Sequence, residues 1–199
     1  MNYNFIEIGT SNFSTLIQKA TDTTIGLSVD GIKDYLDDLP NKPFVKKIAC
    51  IISDIDLDEG LMWWVTPENI KKYKLPSWTK GCNNYGDTPH KTIYKKLQRM
   101  GYNPYDIFSC KKVAVKSFAT LIQDHNISSC DLLKVDTEGH DTFIIKCMLS
   151  TDLRPIIVKY ENNTLTPIVL RNECKKLMLE AGYVIIMETK SDIEYMLVD

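Results

Sequence analysis

Carboxylate side chains follow two apolar segments that lie far apart in this sequence. Asp136 and Glu138 come after the apolar run 130–135, and Glu7 stands near the end of the run 4–8. Carboxylates brought together can bind a cation, accept hydroxyl groups or exchange a proton. Open α/β sheets bind ligands at the carboxyl ends of their strands. The two acidic segments therefore predict one polar pocket at one edge of a sheet.

The first segment ends in a turn with a single glycine. Gly9 permits a tight turn and a close approach of a ligand to the backbone. Thr10, Ser11 and Asn12 add side-chain donors, and the pattern predicts a helix over Asn12–Ala20 with free N–H groups at its start. A pyrophosphate site requires Gly-x-Gly-x-x-Gly, so the lone glycine disfavours a dinucleotide. Many turns of this kind bind nothing.

Two further strand ends carry acids. Asp30 can accept both hydroxyls of an adenosine ribose, although capping of the helix that begins near Ile32 would also explain it. Together with the first turn, the nucleoside interpretation is favoured. Ile52, Ser53 and Asp54 end the third predicted strand, where an adenine ring would lie. Ser53 and Asp54 could equally begin a turn.

A second acidic strand end lies next to the first. Asp136 ends one predicted strand, and Glu161 with Asn162 ends the following one. Their side chains are expected at one carboxyl edge, where two carboxylates shift each other's pKa or share a cation. Capping of a helix N-terminus explains Glu138 and His140, but no capping need explains both Asp136 and Glu161.

Strand-like and helix-like segments alternate along the chain. The apolar runs are 4–8, 25–29, 48–52, 61–65, 130–135, 156–160, 183–187 and 193–198, and the helix-like segments are Asn12–Ala20, Ile32–Leu39, Ser117–Asp124, His140–Met148 and Leu165–Ala181. This alternation predicts a mostly parallel α/β sheet. The last two strands are joined by a short turn, which forces an antiparallel hairpin.

The stretch 66–110 interrupts the alternation with prolines, glycines and aromatic residues. A connection this long is usually functional. It is either a surface excursion with its own aromatic cluster or a lid over the pocket. In the second case Trp78, Asn83, Tyr85 and His90 would line the acceptor side, and His90 could act as a base. A lone histidine in a loop is more often simply exposed to solvent.

Composition limits the possible functions. The 199 residues suit one α/β domain over 1–199, and the net charge of −2 argues against binding a nucleic acid backbone. No apolar run approaches a membrane span, and no signal peptide is recognisable. The six cysteines are scattered without metal-ligand spacing. We expect a reduced, cytoplasmic protein. The sequence fixes no oligomeric state, and a homodimer is one option.

Three motifs resemble those of the FkbM-type methyltransferases. They are Ile6-Glu7-Ile8-Gly9-Thr10-Ser11-Asn12, the Ser53-Asp54 turn, and above all Leu133-Lys134-Val135-Asp136-Thr137-Glu138-Gly139. The resemblance implies a class I Rossmann-like methyltransferase fold, with a seven-stranded, mostly parallel sheet and an antiparallel C-terminal hairpin. It also implies S-adenosylmethionine as cofactor and hydroxyl groups of sugars or natural products as acceptors.

The resemblance implies a role for each strand end. The cofactor residues would be Glu7, Gly9 and Thr10–Asn12 for the methionine part, Asp30 for the ribose, Ser53 or Asp54 beside the adenine, and Asp136 near the sulfonium. One departure concerns the ribose site, because relatives often have Glu-Pro where this chain has Asp30-Gly31. An aspartate is one carbon shorter.

An alcohol acceptor requires a general base or a divalent ion. The placement of Asp136, Glu161 and Asn162 resembles the cation site of catechol-type methyltransferases. Two hypotheses follow: Glu161 acts as base without metal, or these three residues hold Mg²⁺. Glu138 joins the acceptor side. Two other classes stay open: a non-catalytic interaction module with this fold, and a nucleotide-sugar or NAD-binding enzyme.

Overall fold

A computed structural model describes residues 1–12, 14–76, 79–80 and 83–198. The strands are β1 (Asn2–Ile8), β2 (Gly26–Asp30), β3 (Val45–Ala49), β4 (Ile51–Ser53), β5 (Leu57–Val65), β6 (Asn84–Tyr85), β7 (Phe108–Ser117), β8 (Ser129–Val135), β9 (Ile157–Glu161), β10 (Tyr183–Glu188) and β11 (Asp192–Leu197). The helices are α1 (Lys33–Asp38), α2 (Pro67–Lys72), α3 (Lys91–Arg99), α4 (Pro104–Ile107), α5 (Phe118–Asp124), α6 (Asp141–Leu149) and α7 (Ile168–Glu180).

Seven strands form the main sheet in the order β10-β11-β9-β8-β1-β2-β3. Strands β3, β2, β1, β8 and β9 run parallel, and β11 pairs antiparallel with both β9 and β10. The predicted α/β fold, with a mostly parallel seven-stranded sheet and an antiparallel C-terminal hairpin, is therefore confirmed. Strand β8 lies at its centre with β1 beside it, and Ile8 of β1 is level with Val29 on one side and Val135 on the other.

A second sheet was not predicted. It has four strands in the order β4-β7-β5-β6. The single strand expected over 48–52 is wrong, because the chain divides at Cys50 and passes from the edge of the main sheet into the second sheet. The predicted strand 61–65 lies within β5, whose main partner is the ten-residue β7. The polar side chains of Lys111 and Lys112 concealed that strand in the sequence.

The stretch 66–110 contains helices α2, α3 and α4 and the short strand β6. Its apolar side chains pack with the adjoining ends of β5 and β7 in a small core of their own, made of Val65, Leu75, Ile93, Leu97, Ile107 and Phe108. The larger core lies under the main sheet and includes α5, α6 and α7. The interpretation of 66–110 as a lid stays a prediction.

The prediction of a helix over Asn12–Ala20 is wrong. Apart from Phe13, which lies outside the described residues, this stretch holds only a 3₁₀ turn at Ile17–Lys19. Ser14 has a left-handed backbone with φ of 54°, and the Leu16 N–H donates to the buried Glu7 carboxylate. Polar side chains that bond nearby backbone groups compete with helix formation. The other four predicted helices correspond to α1, α5, α6 and α7.

In the described part of the chain, no helix is both long enough and apolar enough to cross a membrane. The described cysteines, Cys50, Cys110, Cys130, Cys147 and Cys174, are all free thiols. Burial raises the pKa of the Cys50 and Cys130 thiols to about 12, so both remain protonated at neutral pH. Cys50 and Cys130 therefore act as small buried residues.

Gly9 is the position where the fold tolerates no side chain. Its φ is +79°, and a Cβ built there would lie 1.9 Å from the carbonyl oxygen of Asp136. Gly101 has a similar φ of +84° but no atom within 4 Å of such a Cβ. The two glycines therefore separate the cost of backbone strain from the cost of the contact.

We expect Gly9→Ala to lower the free energy of unfolding by at least about 3 kcal/mol, because strain and the clash add. Gly101→Ala should cost only about 1 kcal/mol, since it carries the strain alone. Urea denaturation followed by circular dichroism measures both. Equal losses in the two variants would contradict the packing described for β1 and β8.

Candidate active site

One cavity opens at the carboxyl edge of the main sheet. It offers about 190 Å³ to the centres of water-sized molecules, which is room for an organic ligand rather than one water. The described residues that line it are Ile8, Gly9, Thr10, Ser11, Val29, Asp30, Gly31, Cys50, Ile51, Ile52, Met62, Asn83, Asn84, Tyr85, His90, Asp136, Thr137, Glu138, Gly139, His140 and Ile144. The strand ends that the sequence singled out thus share a cavity with part of 66–110.

Five of the predicted cofactor residues line this cavity. They are Gly9, Thr10, Ser11, Asp30 and Asp136. Parallel pairing explains their convergence, since the Gly9 N–H donates to the Val29 carbonyl and the Asp136 N–H donates to the Ile8 carbonyl, both at 2.9 Å. Each strand end is therefore fixed level with its neighbour.

Glu7 was predicted to contact the methionine part of a cofactor, and the structure places it outside the cavity lining. Its carboxyl is fully buried: Oε1 accepts from Lys134 Nζ at 2.7 Å, and Oε2 accepts from the Leu16 N–H at 2.8 Å. Burial raises the pKa of Glu7, while the Lys134 ammonium acts in the opposite direction. Glu7 therefore stabilises the turn after β1 through its hydrogen bond with the Leu16 N–H.

Asn12 also lies outside the lining. Its Nδ2 donates to Asp38 Oδ2 at 2.8 Å, at the exposed end of α1. Ser11 occupies the cavity side of the same turn, with a left-handed φ of 51°. The side chain of Asn12 therefore joins the turn to α1 instead of facing a ligand.

Asp30 is buried in the cavity wall with both carboxylate oxygens engaged. Oδ2 accepts from the Ser11 N–H and Oδ1 accepts from the Ile32 N–H, each at 2.8 Å. Burial raises the pKa of Asp30 to about 6, against the effect of these two hydrogen bonds. Each carboxylate oxygen has further lone pairs, so Asp30 can support the turn and the start of α1 and still accept hydroxyl groups.

Ser53 and Asp54, which were predicted to lie beside an adenine ring, do not line the cavity. Ser53 Oγ donates to Asp54 Oδ1 at 3.1 Å, and Asp54 is exposed. Residues 50–52, which precede them, line the cavity instead. Together with Met62 and Ile144, Cys50, Ile51 and Ile52 form an apolar wall of the cavity. This surface suits a flat apolar ring.

Six polar side-chain atoms in the lining are buried without a hydrogen-bond partner. They are Thr10 Oγ1, Ser11 Oγ, Asn83 Oδ1, His90 Nδ1, Thr137 Oγ1 and His140 Nε2. Buried polar groups normally form hydrogen bonds, and a buried group without a hydrogen-bond partner is unfavourable. These six atoms are therefore available to a polar ligand or to water in the cavity.

Carboxyl groups are crowded at the end of β8. Glu138 has a left-handed φ of 55° and lines the cavity, whereas Asp141 is fully buried and accepts from the Thr137 and Gly139 N–H groups. Burial first, and then neighbouring carboxylates, raise the pKa of Glu138 to about 7 and that of Glu161 to about 8. The cluster is therefore partly protonated at neutral pH.

The Mg²⁺ hypothesis does not fit this geometry. Asp136 is exposed and lines the cavity, but Glu161 and Asn162 lie outside the lining. Asn162 Nδ2 is turned towards Glu188 Oε1, at 3.4 Å. In the described ranges, no three His, Cys, Asp or Glu side chains are grouped as metal ligands. We derive no step through a metal ion.

The predicted acceptor residues lie on the side of the cavity formed by 66–110. Asn83, Tyr85 and His90 all line it, and burial lowers the pKa of His90. Trp78, the remaining prediction, lies outside the described residues. The Tyr85 ring is fitted closely against Gly60, where a Cβ would come within 2.7 Å of Tyr85 Cε2.

Three polar residues of the site were not predicted: Asn84, Thr137 and His140. Thr137 and His140 lie between and beside the predicted acids Asp136 and Glu138, and both face the cavity with an unpartnered atom. Their position in the turn Asp136–His140 was the available signal. His140 had been given only a capping role.

The raised pKa values predict a fall in stability with pH. The unfolded carboxyl of Glu161 ionises near its ordinary pKa, while the folded one keeps its proton up to about pH 8. Between these values the folded chain binds more protons, so the free energy of unfolding decreases as pH rises. Below both pKa values the Glu161 carboxyl is protonated in the folded and the unfolded state, so it does not change the free energy of unfolding with pH.

Glu161→Gln should therefore flatten the fall in the free energy of unfolding between about pH 5 and pH 8, by on the order of 2 kcal/mol. Urea denaturation across this range measures it. Glu180→Gln is the matched control, because its side chain is 58% exposed. A slope unchanged in Glu161→Gln would contradict the carboxyl crowding described here.

Comparison with known proteins identifies the family of this chain. Residues 18–185 match the family model described as the methyltransferase FkbM domain. No curated protein and no solved structure shows a match to this chain. The matched span covers most of the sequence and includes β2, the acidic turn after β8 and the start of the C-terminal hairpin. This chain belongs to the FkbM methyltransferase family.

Proposed function

We propose that this protein transfers a methyl group from S-adenosylmethionine to a hydroxyl group of a sugar, glycan or small natural product. The observation that carries the proposal is the charge of the cavity. Its described lining contains Asp30, Asp136 and Glu138 but no lysine or arginine. Such a surface favours a sulfonium cation over a phosphate or other anion.

The residues present suit the parts of this cofactor. Asp30 stands where carboxylate oxygens can accept the ribose hydroxyls, and the Gly9–Ser11 turn offers unpartnered hydroxyl groups to the methionine part. The apolar wall around Ile51 and Ile52 suits the adenine ring. When bound, the cofactor supplies an electrophilic methyl group, and the acids at Asp136 and Glu138 favour its positive charge.

An NAD or nucleotide-sugar ligand has weaker support. A pyrophosphate needs free N–H groups at the start of a helix or a basic side chain. The described residues after Gly9 form no α-helix before α1, and Asp30 already accepts the Ser11 N–H. The acidic lining would also repel a diphosphate.

The residues then have to align the acceptor and remove its proton. Of the bases considered from the sequence, Asp136 and His90 line the cavity. Glu161 does not, and with a pKa near 8 it holds its proton at neutral pH. The side formed by Asn83 and Tyr85 carries an amide and an aromatic ring, which suit a hydroxylated ring as acceptor.

Isothermal titration with S-adenosylhomocysteine tests the proposal. Wild-type protein should bind it, and Asp30→Asn should weaken binding about 10-fold to 100-fold because a charged acceptor of the ribose is lost. Asp37→Asn is the control, since Asp37 lies on the exposed side of α1 in a pair with Lys33. Failure of the wild type to bind would overturn the proposal and favour an interaction module. Binding of NAD instead would favour the nucleotide enzyme.

Thr10→Val tests the unpartnered hydroxyl groups. Thr10 Oγ1 and Thr15 Oγ1 are both buried without a partner, but only Thr10 lines the cavity. Thr10→Val should weaken S-adenosylhomocysteine binding about threefold to tenfold, whereas Thr15→Val should leave it unchanged. Both variants should unfold at slightly higher urea, because each removes an unsatisfied group. Equal affinities in the two variants would contradict the role given to the Gly9–Ser11 turn.

A further inference from the structure

His140 is a cavity residue whose expected capping role the structure does not bear out. It occupies the N-cap position of α6, but its side chain makes no capping hydrogen bond. Asp141 meets that need instead, since its carboxylate accepts from the Thr137 and Gly139 N–H groups at 3.0 and 3.1 Å. The imidazole of His140 is therefore free for another role.

Two aromatic rings hold this imidazole in place. The Phe143 ring lies with its centroid 4.5 Å from that of His140, and the Tyr85 ring meets it edge-on at 6.5 Å. These contacts involve the ring and leave its Nε2 atom without a partner in the cavity wall. An oriented ring nitrogen that faces a ligand cavity is available to accept one hydrogen bond.

Burial keeps the ring neutral. The titratable groups around it are Asp54 from the turn after β4, Tyr85 and His90 from 66–110, and Glu138 and Asp141 beside it in the chain. Burial lowers the pKa of His140, and Asp54 opposes this effect to a smaller extent. At neutral pH the imidazole is thus a free base, with a carboxylate nearby to stabilise its protonated form.

We propose that His140 is the general base of the methyl transfer and that its Nε2 accepts the proton of the acceptor hydroxyl. The inference rests on the proposed function. The acceptor oxygen forms a bond to the methyl carbon while the carbon–sulfur bond breaks and leaves its electron pair on sulfur. The hydroxyl proton moves to Nε2, and the resulting imidazolium returns it to solvent.

The other candidate bases are less suitable. Glu138 and Glu161, with pKa values near 7 and 8, hold protons at a pH where the imidazole is already free. His90 also has an unpartnered nitrogen in the cavity, but burial alone lowers its pKa, and no described carboxylate counteracts that effect. At His140 the negative charge of Asp54 opposes the effect of burial and favours the imidazolium that forms when the ring accepts a proton.

These candidates predict different pH profiles. The rise of kcat/KM with pH reports the ionisation of the essential base in the free enzyme. A His140 base places that rise below the ordinary histidine value of about 6.5. A Glu138 or Glu161 base places it near 7 or near 8. A rise below about 6.5 therefore excludes Glu138 and Glu161, and variants of the individual residues separate His140 from His90 and Asp136.

The test uses tritiated S-adenosylmethionine with a panel of methyl glycosides and simple alcohols, and the best acceptor is carried forward. We expect His140→Gln to lower kcat/KM at least about 100-fold and to abolish the low-pH rise, while its affinity for S-adenosylhomocysteine stays within about threefold of the wild type. His125→Gln is the matched control, because His125 is the one histidine outside the cavity lining. It should behave as the wild type.

Activity of His140→Gln within about threefold of the wild type, or a rise near pH 7 or 8, would overturn the inference. A loss confined to His90→Gln would transfer the role to His90. If the wild type binds S-adenosylhomocysteine, these results count against His140 alone; if it does not, the proposed function itself fails.

A second measurement needs no acceptor. Proton NMR of the three histidine rings, with His140 assigned by its absence in His140→Gln, follows each titration with S-adenosylhomocysteine bound. His140 should titrate below about 6.5, and Asp54→Asn should lower its pKa further. A pKa above about 7, or one that Asp54→Asn leaves unchanged, would exclude the base described here.

Discussion

The contact between the backbones of Gly9 and Asp136 is the constraint on which the site depends. It arises because β1 and β8 pair in parallel with Ile8 level with Val135, so the two chains leave the sheet side by side. A Cβ on Gly9 would lie 1.9 Å from the Asp136 carbonyl oxygen, and only glycine fits. The acidic turn after β8 and the hydroxyl-rich turn after β1 are thereby fixed as two walls of one cavity.

Burial of charge sets the chemistry of that cavity. Burial raises the pKa of Glu7, although the Lys134 ammonium and the Leu16 N–H oppose this effect. No cation is among the causes that shift Glu138 and Glu161, and their pKa values rise to about 7 and about 8. The carboxyl groups of Glu138 and Glu161, which face or adjoin the cavity, therefore lower the stability of the protein at high pH. Functional sites often combine shifted pKa values with a loss of stability.

Local sequence patterns were enough to predict most of the main sheet, because its strands are buried apolar runs that end at glycine or acidic residues. The position of Glu7 was also predictable in principle. Side chains alternate along a strand, so Glu7 and Ile8 face opposite ways, and parallel pairing puts Glu7 level with Lys134. The pattern of acids at strand ends does not by itself reveal the cross-strand charge pair between Glu7 and Lys134.

Features that depend on distant partners could not be predicted. The break at Cys50 follows from the pairing of β4 with β7, which is more than sixty residues away. Strand β7 is itself stabilised by β5, and exposed residues such as Lys112 alternate along it with less exposed ones. The loss of the helix expected after Gly9 has the same origin, since the buried Glu7 captures the Leu16 N–H. In each case a tertiary contact overrides the local preference.

The division of charge within the cavity suits the two molecules of the proposed reaction. Asp30, Asp136 and Glu138 lie at the strand ends, whereas the part of the lining from 66–110 includes the neutral amide of Asn83 and the imidazole of His90, whose pKa burial lowers. A cation gains attraction at the first side, and a neutral hydroxylated ring loses nothing at the second. An anionic acceptor would be repelled wherever it lay. The cavity therefore sorts its ligands by charge before any hydrogen bond selects between them.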